Sequence, residues 1–96
     1  CFNDMLAIGL LKGCEFSGLH VPRDISITGF DNITQSAFTS PALTTFDQPK
    51  HGIGVEAASL LLDLLREDQH TPVESQVKIL KGKLLIRDST ARPPAG

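Results

Sequence analysis

Asn3, Asp31 and Gln48 are the side chains in this sequence whose type and spacing most invite chemistry. Each stands just past the carboxyl end of a strand-like run: Asn3 after Phe2, Asp31 after Ile25–Phe30 and Gln48 after Leu43–Asp47. In an open α/β sheet, ligands sit in the crevice outside those strand ends. Two amides and a carboxylate on one rim can hydrogen-bond a small polar ligand, and such a group points to binding rather than bond-making. No nucleophile, base and orienting group occur in a recognisable arrangement, and Ser36, Ser40 and Ser89 read as turn or strand residues, so no catalytic residue is assigned and no enzyme is expected. His20, His51 and His70 are scattered over loops without metal-ligand spacing and read as surface residues. Cys1 and Cys14 are too far apart for a CxxC motif and read as two free thiols. Neither a metal nor a cofactor is expected.

Each of the three has an ordinary structural role as well. Asp31 could stabilise a turn, because aspartate readily bonds nearby backbone N–H groups. Asn3 could simply cap the helix that follows, and Asp4 reads as the structural member of that pair. Gln48 fits a supporting role as well as a contact. Lys50 and His51 follow it, and a solvated lysine is the default there. A magnesium-binding pair of Asp4 and Asp31, in an enzyme or phosphoacceptor of flavodoxin type, is a rival from another class. Hard cations want several oxygens at one rim, and neither a phosphate loop nor a suitable lysine accompanies these two carboxylates.

The elements that must position these residues are legible. Asn3–Asp4 signals a helix start, and the run Met5–Leu11 is apolar nearly all round, which predicts a helix buried on two sides ending near Gly18. A strand is predicted over Ile25–Phe30 and another over Leu43–Asp47, stopped by Gln48–Pro49, with a polar stretch carrying Phe38 between them. Gly52–Glu67 shows polar residues in one stripe (Glu56, Ser59, Asp63, Arg66, Glu67) opposite Ile53, Ala57, Leu60, Leu61, Leu64 and Leu65. This predicts a helix packed on a sheet, ended by Asp68–Thr71 and Pro72. Val77–Leu80 and Leu84–Arg87 read as strands, and a further strand is expected to end at Phe2. Alternating strands and helices imply a mostly parallel α/β sheet with flanking helices in three layers.

The composition sets bounds. Ninety-six residues make one domain or less, 41% are hydrophobic and 21% charged, and no apolar run nears the ~20 residues that cross a bilayer. A net charge of −2 gives no polybasic surface for nucleic acid. With no Trp or Tyr and five Phe, the core must be built from Leu, Ile, Val and Ala.

Four strings, in order, resemble the C-terminal part of the lactose/galactose repressor (LacI/GalR) family. They are Cys1-Phe2-Asn3-Asp4 with Ala7 and Gly9, then Val21-Pro22 through Asp24 and Ser26 to Gly29-Phe30-Asp31, then Ser40-Pro41, Leu43-Thr44-Thr45 and Gln48-Pro49, and finally Leu84–Ala91. The resemblance implies one lobe of a type I periplasmic-binding-protein-like effector domain over residues 1–90, with a frayed tail over 91–96. It implies Asp31 as the effector-binding carboxylate, with Asn3 and Gln48 as further contacts, and a small-molecule effector that is a sugar or sugar derivative. The helix bearing Ile8 and Leu11 and the segment bearing Phe38 and Pro41 match regions of the family's homodimer interface. Phe38, a lone large apolar residue in a polar loop, is the stronger of these; Ile8 and Leu11 could simply be core.

The function so implied is that of the effector-binding and dimerisation lobe of a cytoplasmic transcriptional repressor. Operator DNA would be bound only through an N-terminal helix-turn-helix that this chain lacks, as it lacks the first lobe. The alternative is a periplasmic sugar-binding protein of the same fold in a transport system. The chain opens at Cys1 without an initiator Met and reads as cut. Alone, with one wall of a cleft and no basic stripe, it is expected to bind neither DNA nor effector tightly.

Overall fold

Asn3 starts the first helix for a local reason: its side-chain Oδ1 accepts the backbone N–H of Leu6 at 2.9 Å, satisfying one of the first-turn donors that have no partner in the helix. The computed structural model describes residues 1–66 and 77–94. Its elements are α1 (Asp4–Ser17), a 3-10 turn (Thr34–Ala37), β1 (Thr45–Asp47), α2 (Lys50–Leu65) and β2 (Lys83–Leu85). Glu67, the helix stop at Asp68–Pro72 and His70 lie outside the described residues. The chain divides into two units, Cys1–Gln48 with Lys83–Gly96, and Pro49–Gly82.

In the first unit, α1 closes at Gly18, whose φ of 78° is the left-handed conformation glycine takes without a Cβ penalty. Only one face of α1 is buried. Asp4, Ala7, Leu11 and Cys14, spaced three, four and three apart, point inward, and Ala7, Leu11 and Cys14 meet Ile27 and Leu43, with Val21 packed alongside. Met5, Leu6, Leu10 and Phe16 are exposed. The expectation of a helix buried on two sides is therefore corrected: the described residues supply one layer against it. Both cysteines are free thiols, Cys1 exposed and Cys14 in the core.

The strands are shorter and differently paired than predicted. β1 and β2 run antiparallel, with Thr45 opposite Leu85 and Asp47 opposite Lys83. Among the described residues parallel pairing is confined to one bridge, Thr28 with Thr44, and the expected strand ending at Phe2 is reduced to Cys1 N–H donating to Thr28 O (2.7 Å) and Asp4 N–H donating to Phe30 O (3.0 Å). The reason is that hydroxyl side chains occupy ladder positions. Buried Ser89 Oγ accepts from Thr44 N (2.8 Å) and donates to Ile27 O (2.6 Å). Thr44 Oγ1 accepts from Arg87 N (2.9 Å), and Thr45 Oγ1 from Asn32 N (3.3 Å). These bonds satisfy the backbone without the regular pattern that defines a strand. At the end of the chain, Ala91 exchanges two hydrogen bonds with the Ser26 hydroxyl.

Asp24 of the Val21–Asp24 turn accepts the His20 backbone N–H at 2.8 Å. That bond, helped by Arg23, holds its carboxyl below the ordinary carboxylate range.

In the second unit, α2 begins two residues earlier than predicted. Pro49 carries a φ of −75° and its carbonyl accepts the first helical bond from Ile53 N at 2.8 Å, so the proline leads into the helix rather than only ending a strand. No residue of α2 is buried. Its half-covered stripe is Gly52, Glu56, Leu60 and Asp63, with Glu56 paired to Lys78 at 3.3 Å and Asp63 to Arg66 at 3.6 Å. Val77–Leu80 lies beside this stripe but forms no strand.

Candidate ligand-binding site

The loop after Ile27–Thr28 is fixed by what surrounds Asp4. This carboxylate is fully buried. Its Oδ1 accepts from Thr45 Oγ1 at 2.6 Å and its Oδ2 from Ile33 N at 2.8 Å, so it ties the start of α1 to β1 and to the loop at residues 31–33. Gly29 is required beside it: a Cβ there would collide with Asp4 Oδ1 and sit 2.9 Å from Leu43 Cδ2. Asp4 is thus a structural residue, as its pairing with Asn3 suggested.

From that anchor the chain passes through Phe30 into Asp31 and Asn32, two non-glycine residues with positive φ, 119° and 55°. Asp31 N donates to Phe46 O at 2.9 Å, holding the turn against β1. Phe30 stacks flat on Phe46, with ring centroids 5.4 Å apart and an interplanar angle of 4°. The Asp31 side chain meets Gln48, whose Nε2 donates to its Oδ1 at 3.2 Å. Asn3, Asp31 and Gln48, from three separate segments, line one cavity of about 510 Å³ together with Phe2 and Phe30.

The arrangement is an amphipathic one. Two aromatic residues supply apolar walls, Phe30 being 40% exposed. One carboxylate and two amides supply acceptors and donors. A carboxylate accepts hydrogen bonds strongly, and an aromatic face receives the C–H face of a ring. Among the described residues no group of three or more His, Cys, Asp or Glu could hold a metal. Phe2 and Phe30 were not singled out as lining residues in the sequence; the signal available was their position directly before Asn3 and Asp31.

The four residues matched to an interface divide in two. Leu11 is 9% exposed and belongs to the core. Ile8 and Pro41 are half-buried, and Phe38 is 81% exposed. Ile8 and Leu11 border a surface depression with Thr39 and Ser40. His20 and His51 are exposed.

A cavity with convergent polar groups beside two aromatic rings is the kind of site an α/β small-ligand-binding module presents. The chain matches the periplasmic binding protein-like domain family over residues 1–90 and belongs to it. Within that family it corresponds to the effector-binding region of LacI/GalR-type regulators. It is 45% identical over 94 residues, 98% of its length, to the HTH-type transcriptional repressor CytR of Escherichia coli (strain K12). To the HTH-type transcriptional repressor PurR of Vibrio vulnificus (strain CMCP6) it is 37% identical over 92 residues, 96% of its length. It spans only 27% of the length of either repressor. Among solved structures it is similar to a LacI family transcriptional regulator from Enterococcus faecium with bound ribose, at TM-score 0.81 and 37% identity, covering 99% of this chain and 34% of that one.

Proposed function

We infer that this chain is the effector-binding lobe of a cytoplasmic, non-enzymatic LacI-type repressor, in which a small ring-shaped polar ligand, a sugar or sugar derivative, controls operator binding by an N-terminal domain. The observation that carries this reading is the convergence of Asn3, Asp31 and Gln48 on one cavity with Phe2 and Phe30. A pyranose or furanose presents an apolar C–H face and a rim of hydroxyls, which this mixture of rings and acceptors complements. The ribose held by the E. faecium regulator supports the same ligand class.

In this reading the ligand bridges Asp31 and its neighbours to a second lobe. Binding favours one lobe arrangement over another, and the operator affinity changes by the ligand's differential affinity for the two states. The complete domain builds a mostly parallel sheet with helices on both faces, a pattern with which the Thr28–Thr44 parallel bridge agrees.

The test is direct. Residues encoded ahead of Cys1 should contain a helix-turn-helix, and the full-length protein should bind DNA with an affinity that a pentose or hexose alters. A signal peptide in that position, with no DNA binding, would replace this reading with a transport protein of the same fold.

The same reading places Phe38 and Pro41, with Ile8, at a homodimer interface. Exposed aromatics that become buried on association dominate interface energetics. Phe38→Ala should therefore weaken dimerisation of the full-length protein by about 2 kcal/mol or more, seen by sedimentation as dissociation at lower dilution. An unchanged dimer constant would move the interface elsewhere.

A further inference from the structure

The binding loop holds two adjacent non-glycine residues at positive φ, Asp31 at 119° and Asn32 at 55°. Such backbone is unfavourable for side chains with a Cβ and persists only where the surroundings over-determine it. Asp31 N donates to Phe46 O at 2.9 Å, and its carboxylate accepts from Gln48 Nε2 at 3.2 Å. A further restraint comes through its neighbour. Asn32 Nδ2 donates to Asp47 Oδ1 at 3.2 Å, and Asn32 Oδ1 accepts from Arg87 Nη2 at 2.9 Å. Both ends of the Asn32 amide are thus fixed, which sets the plane of the side chain and with it the direction of the backbone leaving Asp31.

Arg87 is itself built in. It follows β2, whose pairing with β1 brings Leu85 opposite Thr45, and its own N–H donates to Thr44 Oγ1 at 2.9 Å. Besides Asn32, its guanidinium reaches Ser36 Oγ at 2.9 Å and Leu43 O at 3.1 Å through Nη1. Ser36 is fully buried and donates to Ile33 O at 2.7 Å. One planar cation therefore clamps the loop at two points, Asn32 and Ser36, and braces both against the Leu43 carbonyl.

We propose that Arg87 is a positioning residue for the ligand site: through Asn32 it holds the left-handed turn that aims the Asp31 carboxylate into the cavity. The proposal rests on the reading of Asp31 as the ligand's acceptor, yet its geometry is tested without any ligand. A lysine in place of Arg87 keeps the charge but offers a single point donor, unable to serve Asn32 and Ser36 together in the rigid fork of a guanidinium.

Native-state amide exchange of the full-length protein reads the effect residue by residue. In Arg87→Lys, the amides of Asp31 and Asn32 should exchange roughly tenfold faster or more, the size expected for a lost hydrogen bond to a charged group. The amides of Ala7 and Leu11 in α1 should exchange as before. Asn32→Ala removes the acceptor while leaving Arg87 in place, and keeps the test open should the Arg87 variant fold poorly. It should loosen Asp31 at least as much, since it also removes the bond to Asp47 and puts alanine at φ 55°. The double variant should loosen Asp31 no further than Asn32→Ala alone, because Arg87 acts on Asp31 through Asn32. Equal acceleration at Ala7, Leu11 and Asp31 would make Arg87 a general stabiliser and overturn the proposal, as would unchanged exchange at Asp31. Failure of the ligand reading would show elsewhere, as unaltered effector affinity in Asp31→Asn.

Discussion

Asp31→Asn should weaken effector binding by roughly ten- to a hundredfold while leaving folding, dimerisation and operator binding in place. The carboxylate lines the cavity beside Asn3 and Gln48, where a ligand hydroxyl would donate to it. A hydrogen bond to a charged group is worth about 1.5–3 kcal/mol, and each 1.4 kcal/mol is about a factor of ten in Kd. Asparagine is the informative replacement. It tolerates positive φ nearly as well as aspartate, so the turn at φ 119° survives, and its amide oxygen can still accept the Gln48 donor now found at 3.2 Å. What is lost is the charge. Calorimetric titration of wild type and variant with the same sugar gives the comparison, and equal affinities would remove Asp31 from the site.

The largest effect on stability belongs to Asp4. Asp4→Ala should destabilise the protein by on the order of 3–5 kcal/mol, because two charge-assisted hydrogen bonds vanish and leave one buried and one partly buried donor unmatched. Those donors are the Thr45 hydroxyl and the Ile33 N–H. Asp4→Asn should recover part of the loss, since an amide oxygen can still accept one bond and its NH₂ can donate to Thr45. Denaturant unfolding of the three proteins measures the order wild type, Asn, Ala. A change of less than about 1 kcal/mol in the alanine variant would show that the network is dispensable. Gly29→Ala should reproduce much of the effect by another route, pushing a methyl group into the space of the Asp4 carboxylate.

Much of the candidate site was legible because its determinants are local. Asn3 caps α1 through a donor three residues away, and Gly18 closes it from the adjacent position. Asp31 and Gln48 were found because each follows a β-branched run, and strand ends in α/β folds gather ligands. The four family strings are likewise stretches of contiguous sequence, which is why they could be matched before any contact was known. Arg87 lies within the fourth string, but nothing there pointed to its partner. It meets Asn32 across 55 residues, and nothing in the intervening sequence marks the pair. Phe2 and Phe30 were equally silent, since an aromatic residue at a strand end is usually core.

The sequence by itself therefore determined the termini of α1, the alternation of helices and strands and the identity of the three polar residues at the rim, all consequences of propensity and short-range hydrogen bonding. The tertiary structure decided which faces are covered and how the strands pair. The apolar runs of α1 and α2 state only that burial is favourable, not that the described residues supply it: α1 covers one face and α2 none. Strand pairing was redirected by Ser89, Thr44 and Thr45, whose hydroxyls take up backbone donors that a ladder would otherwise use. Such exchanges depend on which distant hydroxyl reaches which N–H, and that is fixed by packing in three dimensions rather than by any periodicity along the chain.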